Sequence, residues 1–391
     1  MTEQRTKQAE YVVIGLGALG SATAYELADR GADVVALERF ELGHSRGASH
    51  DSSRILRHSY HTPGYVALTF DAYDDWDRLE RAGGERLVTT VGGLDLFPPG
   101  CAISLEDYES SMRAAGVDFE TLDAGSAQAR WPQFRLPAGA VALHQSRAAI
   151  VPAARGTATL QRLARDHGAV LRDNCPVVSV RDLGSRGVEV VTDDVTYRCR
   201  RVVVCADAWT NQVIADLDWQ IPLTVLLQQV TYFQPPDPAM FAPGRMPLWI
   251  WMDDPSYYGF PCFGEPTVKM AEDCGGPQVD PDRRGFEVDP AQLARLQQFA
   301  SRTLPGSGPP TRSVTCLYTL TPDRDFALGP VPGHQAVLVG LGAAHGFKFA
   351  PTLGRLLADL ATTGTTSTDL AAFRLDRAAL TDTAHTNSWL V

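Results

Sequence analysis

The sequence predicts an α/β protein in which a mainly parallel, doubly wound layer is interleaved along the chain with a mainly antiparallel second sheet. Three observations predict it. An apolar run ends in the glycine turn GLGALG at 15–20 and leads into an alanine-rich helical stretch. Buried runs of the same kind recur much later, at Arg201–Cys205 and Val337–Gly342, each ending in small residues. Between them the pattern changes to short strands broken by turn glycines and prolines.

The first of these units is the most explicit. Tyr11–Ile14 reads as a buried strand and Ser21–Arg30 as the helix after it. Gly15 permits a tight turn, Gly17 lets backbone approach a pyrophosphate, and Gly20 allows the helix to pack close to the strand. A diphosphate then sits at a positive helix N-terminus. Val34–Leu37 forms the next strand, and Glu38 closes it where a carboxylate accepts hydrogen bonds from an adenosine ribose. The unit is Rossmann-like and suits a dinucleotide with an unphosphorylated ribose; NAD and FAD both satisfy it.

The loop after Glu38 runs through small residues to His50, Ser53, Arg54 and Arg57, the two arginines at helical i,i+3 spacing. With the small residues before them they suit close approach to a ligand; a solvated basic helix start is the plainer alternative. Tyr65–Arg81 predicts an amphipathic helix whose Leu68, Ala72, Trp76 and Leu79 face the core. One helix is expected near Leu105–Ala115 and another over Ala153–His167, with strands at Ala169–Leu171 and Val188–Val191. Leu223–Phe233, Leu248–Met252, Tyr257–Phe260 and Thr267–Met270 read as strands of the antiparallel sheet. After Val337–Gly342 come His345, Gly346, Phe347 and Lys348, then a helix through Leu353–Leu360 with Pro351 in its first turn. That helix start and Lys348 favour negative charge on a ligand. The expected division is residues 1–86, 147–217 and 312–391 for the nucleotide-binding domain, and 87–146 and 218–311 for the substrate domain.

Composition narrows the class of partner. With 391 residues, 44% of them hydrophobic, the chain can bury a sizeable core. Its 35 basic and 46 acidic residues give a net charge of −11, which disfavours nucleic acid and anionic membrane as general partners. Residues 1–10 have no apolar signal core, and no run reaches the roughly 18 apolar residues of a membrane span. The expected compartment is the cytoplasm. The seven cysteines show no CxxC spacing, and His58 and His61 lack a completing ligand set, so neither disulfides nor a metal are expected.

Four stretches in this order resemble the monomeric sarcosine oxidase and N-methyltryptophan oxidase family, FAD-dependent amine oxidases of the D-amino-acid oxidase superfamily. They are GLGALG with Glu38, SHDSSRILRHSY at 49–60, YYGFP at 257–261 with Lys269, and TCLYTLTPDRDF at 315–326 with HGFKF at 345–349. The likeness extends from about Tyr11 to about Phe373 and selects FAD over NAD. It implies a thioether from Cys316 to the flavin, with Tyr318, Asp323 and Phe326 at matching offsets. Without it, Cys316 would be a small buried hydrophobe.

The resemblance also implies chemistry. A neutral amine loses a hydride equivalent from the carbon beside nitrogen to flavin N5, and dioxygen reoxidises the flavin, releasing hydrogen peroxide. Lys269 matches the lysine that promotes oxygen reduction, Arg57 and Lys348 the substrate-carboxylate clamp, His50 and Arg54 the residues flanking the flavin ring, and Tyr258 a pocket tyrosine. His345, Gly346 and Phe347 fall in the cofactor-binding turn. Three positions depart from the family: Asp273 replaces a pocket histidine, and Asp207 and Ala344 replace glycines. Asp273 then either binds a substrate cation or pairs with Lys269. Trp249 and Trp251, if one faces the cavity, favour a flat or cyclic substrate; alternation can instead send both to the core. The expectation is a monomeric oxidase of an N-methyl or cyclic secondary amino acid. A flavin dehydrogenase with another acceptor and a non-catalytic flavoprotein are the alternatives.

Overall fold

In the computed structural model, which describes residues 5–382 and 384–387, apolar strands buried on both faces build the first sheet. Val170–Arg172, Val34–Leu37, Arg5–Ile14, Val195–Val204 and His334–Leu341 lie side by side and parallel. Antiparallel strands Val177–Asp182, Val188–Thr192 and Ala327–Val331 extend it. Alternation divides the central strand cleanly: Tyr11 and Val13 join one apolar cluster, Val12 and Ile14 the other. That is why the run shows no polar positions. The helix Ala18–Asp29 covers one face, packed between Ala153–Asp166 and Ala350–Thr363. Of the polar stretch 1–10, residues 1–4 lie outside the described residues, as does the domain limit at 391.

The glycine turn fits its sequence reading in detail. Gly15 has φ +92°, and a Cβ there would sit 2.4 Å from the Cys205 carbonyl oxygen. A Cβ on Gly20 would lie 1.8 Å from the Gly15 carbonyl oxygen, so any side chain would push the helix off the strand.

The second sheet is mixed and mainly antiparallel. Its order is Pro310–Leu320, Thr224–Phe233, Val268–Glu272, Tyr257–Phe260, Leu248–Trp251, Gly93–Phe97, Val141–Gln145 and Glu120–Asp123. Only Leu248–Trp251 and Gly93–Phe97 run parallel among these neighbours. The expected boundary at 312 falls inside Pro310–Leu320, whose backbone pairs along its length with Thr224–Phe233. The hydrogen-bond ladder therefore places residues 312–320 in this second sheet. A small third sheet joins Arg54–Leu56 to Ala149–Val151 and Thr89–Thr90. Arg54 consequently opens a strand and Arg57 follows its end, so neither lies on the helix their spacing suggested.

Pro290–Thr303 is a helix that the sequence reading passed over. Asp289 caps it by accepting from the Ala291 amide at 2.8 Å, and Pro290 occupies its first turn. It lays Leu296, Phe299 and Ala300 on the outer face of the second sheet, leaving the inner face for a cavity. No helix of the described residues is long and apolar enough to cross a membrane.

Close helix packing in the first layer has a measurable dependence on one residue. A Cβ on Gly354 would come 2.5 Å from the Ala22 Cβ and 2.7 Å from its carbonyl carbon. We expect Gly354→Ala to destabilise the fold by about 1–3 kcal/mol through overpacking, read as a lower midpoint in thermal unfolding.

Candidate active site

A cavity of about 480 Å³ runs from the glycine turn, past the ends of the parallel strands, to the inner face of the second sheet. Its position follows the rule for open α/β sheets, where ligands bind beyond the carboxyl ends of the strands.

At one end Glu38 is fixed by backbone. It accepts from the Leu16 amide at 2.7 Å and the Phe40 amide at 3.1 Å, with His44 Nε2 at 3.4 Å. Burial raises its pKa, but His44 and the two amides outweigh burial and keep the carboxyl below its ordinary value. Ser49 Oγ accepts from the Ala18 amide at 2.9 Å, tying the loop after Glu38 to the helix start.

At the middle, Gly15 to Leu19, Cys205 to Asp207 and Gly340 to Gly342 line the wall. Asp207 has φ +47° and Ala344 φ +67°. Both positions where the resemblance expects glycine are therefore left-handed, a conformation glycine adopts without steric cost. The Asp207 Oδ2 is buried with no hydrogen-bond partner among the described residues, and burial pushes the carboxyl up to about 6.

Beyond this point basic side chains gather on the inner face of the second sheet. Lys269 Nζ lies 2.6 Å from Asp51 Oδ2 and donates to the carbonyl and hydroxyl oxygens of Ser53, each at 3.1 Å. Tyr232 donates its hydroxyl proton to the same carboxylate. Burial, then Arg54, lower the Lys269 ammonium's pKa; Asp51 opposes them. The Arg54 guanidinium donates to the carbonyls of Ser53 (2.8 Å), Ala48 (2.8 Å) and His50 (3.0 Å). Cys316 faces the cavity from the strand Pro310–Leu320; burial raises its thiol pKa, while Arg54 and Lys269 oppose that rise. Tyr258 and Tyr318 bring their hydroxyls within 3.2 Å of each other.

The far end holds three more cations. Arg57 Nη1 donates to Asp95 Oδ1 at 2.7 Å and to Ser59 Oγ at 3.0 Å. Lys348 Nζ donates to Tyr60 Oη at 2.8 Å and to the His345 carbonyl at 3.3 Å. No carboxylate pairs with Lys348 among the described residues, and burial, then Arg57 and Arg324, hold its pKa well below the ordinary lysine value. His345 Nε2 lies 2.9 Å from the Arg324 carbonyl, which can only accept, so Nδ1 is the atom left to accept from Tyr60 at 3.3 Å. Arg324 itself clasps Asp273, Nη1 to Oδ2 at 2.7 Å and Nη2 to Oδ1 at 3.2 Å.

Several expectations change. Asp273 pairs with Arg324, not with Lys269, whose partner is Asp51. Trp249 and Trp251 do not line the cavity; they pack on Phe299 at centroid distances of 5.8 and 5.5 Å, on the sheet's outer face. Period-two alternation turns Ile250 inward between them. His50 also lies outside the lining, buried beside Arg54; burial, then Arg54, lower it to about 4, so it is neutral near pH 7. Asp51, Tyr60, Asp95 and Arg324 were not singled out from sequence. Asp51, Tyr60 and Arg324 stand inside quoted motifs, which is their only signal; Asp95 stands in none.

The lining suits FAD: a glycine cradle and ribose-binding acid at one end, a cysteine and cations at the other, and space between them.

The buried Arg57–Asp95 pair yields a direct test. We expect Asp95→Ala to cost about 3–5 kcal/mol, because it strands a guanidinium whose side chain is only 6% exposed. Chemical denaturation of the variant measures it.

Comparison with known proteins agrees with this geometry. A model of the DAO family, FAD dependent oxidoreductase, matches residues 10–360. The monomeric sarcosine oxidase of Streptomyces avermitilis is 34% identical over 373 residues, 93% of this chain and 96% of that protein. The N-methyl-L-tryptophan oxidase of Salmonella arizonae is 30% identical, covering 94% of this chain and 98% of that one. The open form of NikD, described as an unusual amino acid oxidase essential for nikkomycin biosynthesis, superposes with a TM-score of 0.84 at 28% identity, over 94% of this chain and 97% of that one.

Proposed function

The chain belongs to the DAO family of FAD-dependent oxidoreductases, and we propose that it is an oxidase of secondary amino acids, N-methyl or cyclic, with FAD attached at Cys316 and dioxygen as electron acceptor. The enzyme class is oxidation at CH–NH donors, and the substrate is a small molecule. What carries the reading is one observation: Cys316, Lys269, Arg57 and Lys348 all line the cavity that begins at the glycine turn.

Bound FAD supplies a two-electron acceptor for the C–H bond beside the substrate nitrogen. The chain supplies the rest. The Gly15–Gly20 turn and Glu38 hold the adenosine diphosphate end, and Ser53, Arg54 and the His345–Lys348 turn hold the ring end. Arg57 and Lys348 take the substrate carboxylate, since Lys348 has no counter-charge among the described residues. A carboxylate beside it favours the charged ammonium that burial disfavours. Tyr258 borders the substrate, and His50 acts by holding Arg54 in place. The imine product hydrolyses or rearranges in water. On this reading residues 312–320 go with the substrate domain, and the enzyme works as a monomer in the cytoplasm.

Lys269 is the oxygen-activating cation in this scheme, placed by Asp51 and Ser53. A fixed positive charge lowers the cost of the first electron transfer to dioxygen. We expect Lys269→Met to slow reoxidation by air about a hundredfold or more, while anaerobic reduction by substrate changes far less; stopped-flow absorbance separates the two, and equal slowing would refute the role. The sign of the pH effect follows from the ammonium form. Because the folded pKa lies below the ordinary lysine value, reoxidation in the wild type should fall as pH rises through it, and the variant should lose that dependence.

The attachment has its own test. Cys316→Ser is expected to release all flavin on acid precipitation, whereas the wild type keeps it with the protein. Peroxide produced with N-methyl or cyclic amino acids tests the overall reading; substrate-dependent bleaching without peroxide would mean a dehydrogenase. Formaldehyde release distinguishes N-methyl oxidation from ring oxidation.

A further inference from the structure

We propose that Lys348 is an uncharged amine before substrate arrives and takes the proton from the substrate's ammonium nitrogen as the carboxylate docks, leaving the neutral amine that is oxidised. The proposal rests on the reading of Arg57 and Lys348 as the carboxylate clamp.

The two lysines of the cavity differ in the acceptors around them. Lys269 Nζ has three, Asp51 Oδ2 and the carbonyl and hydroxyl oxygens of Ser53, one for each N–H of an ammonium. Lys348 Nζ has two among the described residues, Tyr60 Oη and the His345 carbonyl. Tyr60 can only accept from Lys348, because its own proton goes to His345 Nδ1 while His345 Nε2 donates to the Arg324 carbonyl. Two acceptors match the two N–H groups of an amine and leave its lone pair over. Lys348 lines the cavity, so a ligand can meet that lone pair. The surroundings favour the same form: burial, then Arg57 and Arg324, disfavour the ammonium, and Asp273, which opposes them, is held by both Nη atoms of Arg324.

Other groups at this end are poor proton acceptors. The Arg57 guanidinium stays protonated, both His345 nitrogens are engaged, and burial keeps the Tyr258 and Tyr318 hydroxyls protonated. A buried lysine, by contrast, is a familiar general base. In an α-amino acid the nitrogen and the carboxylate sit on one carbon, so a group that holds the carboxylate stands beside the nitrogen. One N–H bond breaks on the substrate and one forms at Nζ, with no electrons transferred and no change in the net charge of the complex. The new ammonium faces the carboxylate, which stabilises it. The substrate nitrogen regains the lone pair that supports positive charge on its neighbouring carbon as hydride leaves.

Proton counting tests this without turnover. Acetate brings a carboxylate and no ammonium, so its binding to the flavin-loaded enzyme should draw about one proton from solvent at about pH 8, counted by titration calorimetry in buffers of different ionisation enthalpy. Glycine brings its own proton and, as a primary amino acid, lies outside the proposed substrate class; its binding should draw almost none. Lys348→Arg, whose guanidinium stays charged, should still bind acetate but without the uptake. Acetate bound by the wild type without uptake, an equal uptake with glycine, or an uptake that persists in Lys348→Arg would each overturn the proposal and leave the clamp standing. Acetate that fails to bind the wild type would remove the clamp, and this proposal with it.

Discussion

The ion pair between Lys269 and Asp51 is the contact on which the site's geometry depends. Asp51 belongs to the loop that leaves the parallel layer, and Lys269 to the strand Val268–Glu272 of the second sheet. Both side chains are nearly inaccessible, at 3% and 9% exposure. Isolated, either charge would be expelled or neutralised by burial. Together they are retained because each has further partners: Ser53 for the ammonium, and for the carboxylate Tyr232, whose hydroxyl also bonds Ser52. For Asp51, Lys269 and Tyr232 outweigh burial and drive the carboxyl far below its ordinary value. The pair therefore fixes the loop that carries Ser53 and Arg54 against the sheet that carries Lys269 and Cys316. Shifting either layer would leave a buried charge uncompensated.

Alternation along the second sheet then separates chemistry from packing. Tyr257 stacks on Phe299 at 4.0 Å while Tyr258 turns inward, and Val268 and Met270 join the outer core while Lys269 lines the cavity. This explains which parts of the site were legible in the sequence. The glycine turn, Glu38 and the parallel strands depend on local geometry, so residue type and spacing report them directly. Strand positions were legible too, but the face each residue takes depends on what covers the sheet. The covering helix Pro290–Thr303 went unread, and with it the reason Trp249 and Trp251 belong to the core. Ion pairs were the least legible. Lys269 had Glu272 and Asp273 nearby in sequence, yet its partner is Asp51, 218 positions away; Asp273 joins Arg324, 51 positions on. Charge signs in a sequence do not state which carboxylate a fold will bring to which cation.

Departures from the family pattern carry a different kind of information. Asp207 and Ala344 occupy left-handed backbone at two turns that border the cavity. Such residues cost of order 1–3 kcal/mol unless the surroundings over-determine the conformation. Here the turns are clamped: the His345 amide donates to the Gly342 carbonyl at 3.0 Å, and the Trp209 amide to the Ala206 carbonyl at 2.9 Å. The left-handed backbone is thus held although neither position is glycine. In the case of Asp207 the replacement also places a buried carboxyl on the cofactor cavity, where its high pKa makes a neutral, hydrogen-donating form accessible.

The distribution of counter-charges points to what the cavity lacks. Six cationic side chains line it: Arg39, Arg54, Arg57, Lys269, Arg324 and Lys348. Four have a carboxylate, namely Asp282, Asp95, Asp51 and Asp273 respectively for Arg39, Arg57, Lys269 and Arg324. Among the described residues, Arg54 and Lys348 have only neutral oxygen partners. Two cavity-lining cations placed this way leave two positions at which negative charge would be stabilised on arrival. In the proposed reaction two negative charges would need partners, the carboxylate that the substrate brings and the charge that bound FAD would carry once reduced. Lys348 stands with Arg57 at the substrate end, and Arg54 stands with Cys316 and Lys269 at the ring end. Among the described residues, the two cavity-lining cations without a carboxylate thus stand apart, each where the proposed chemistry would bring an anion.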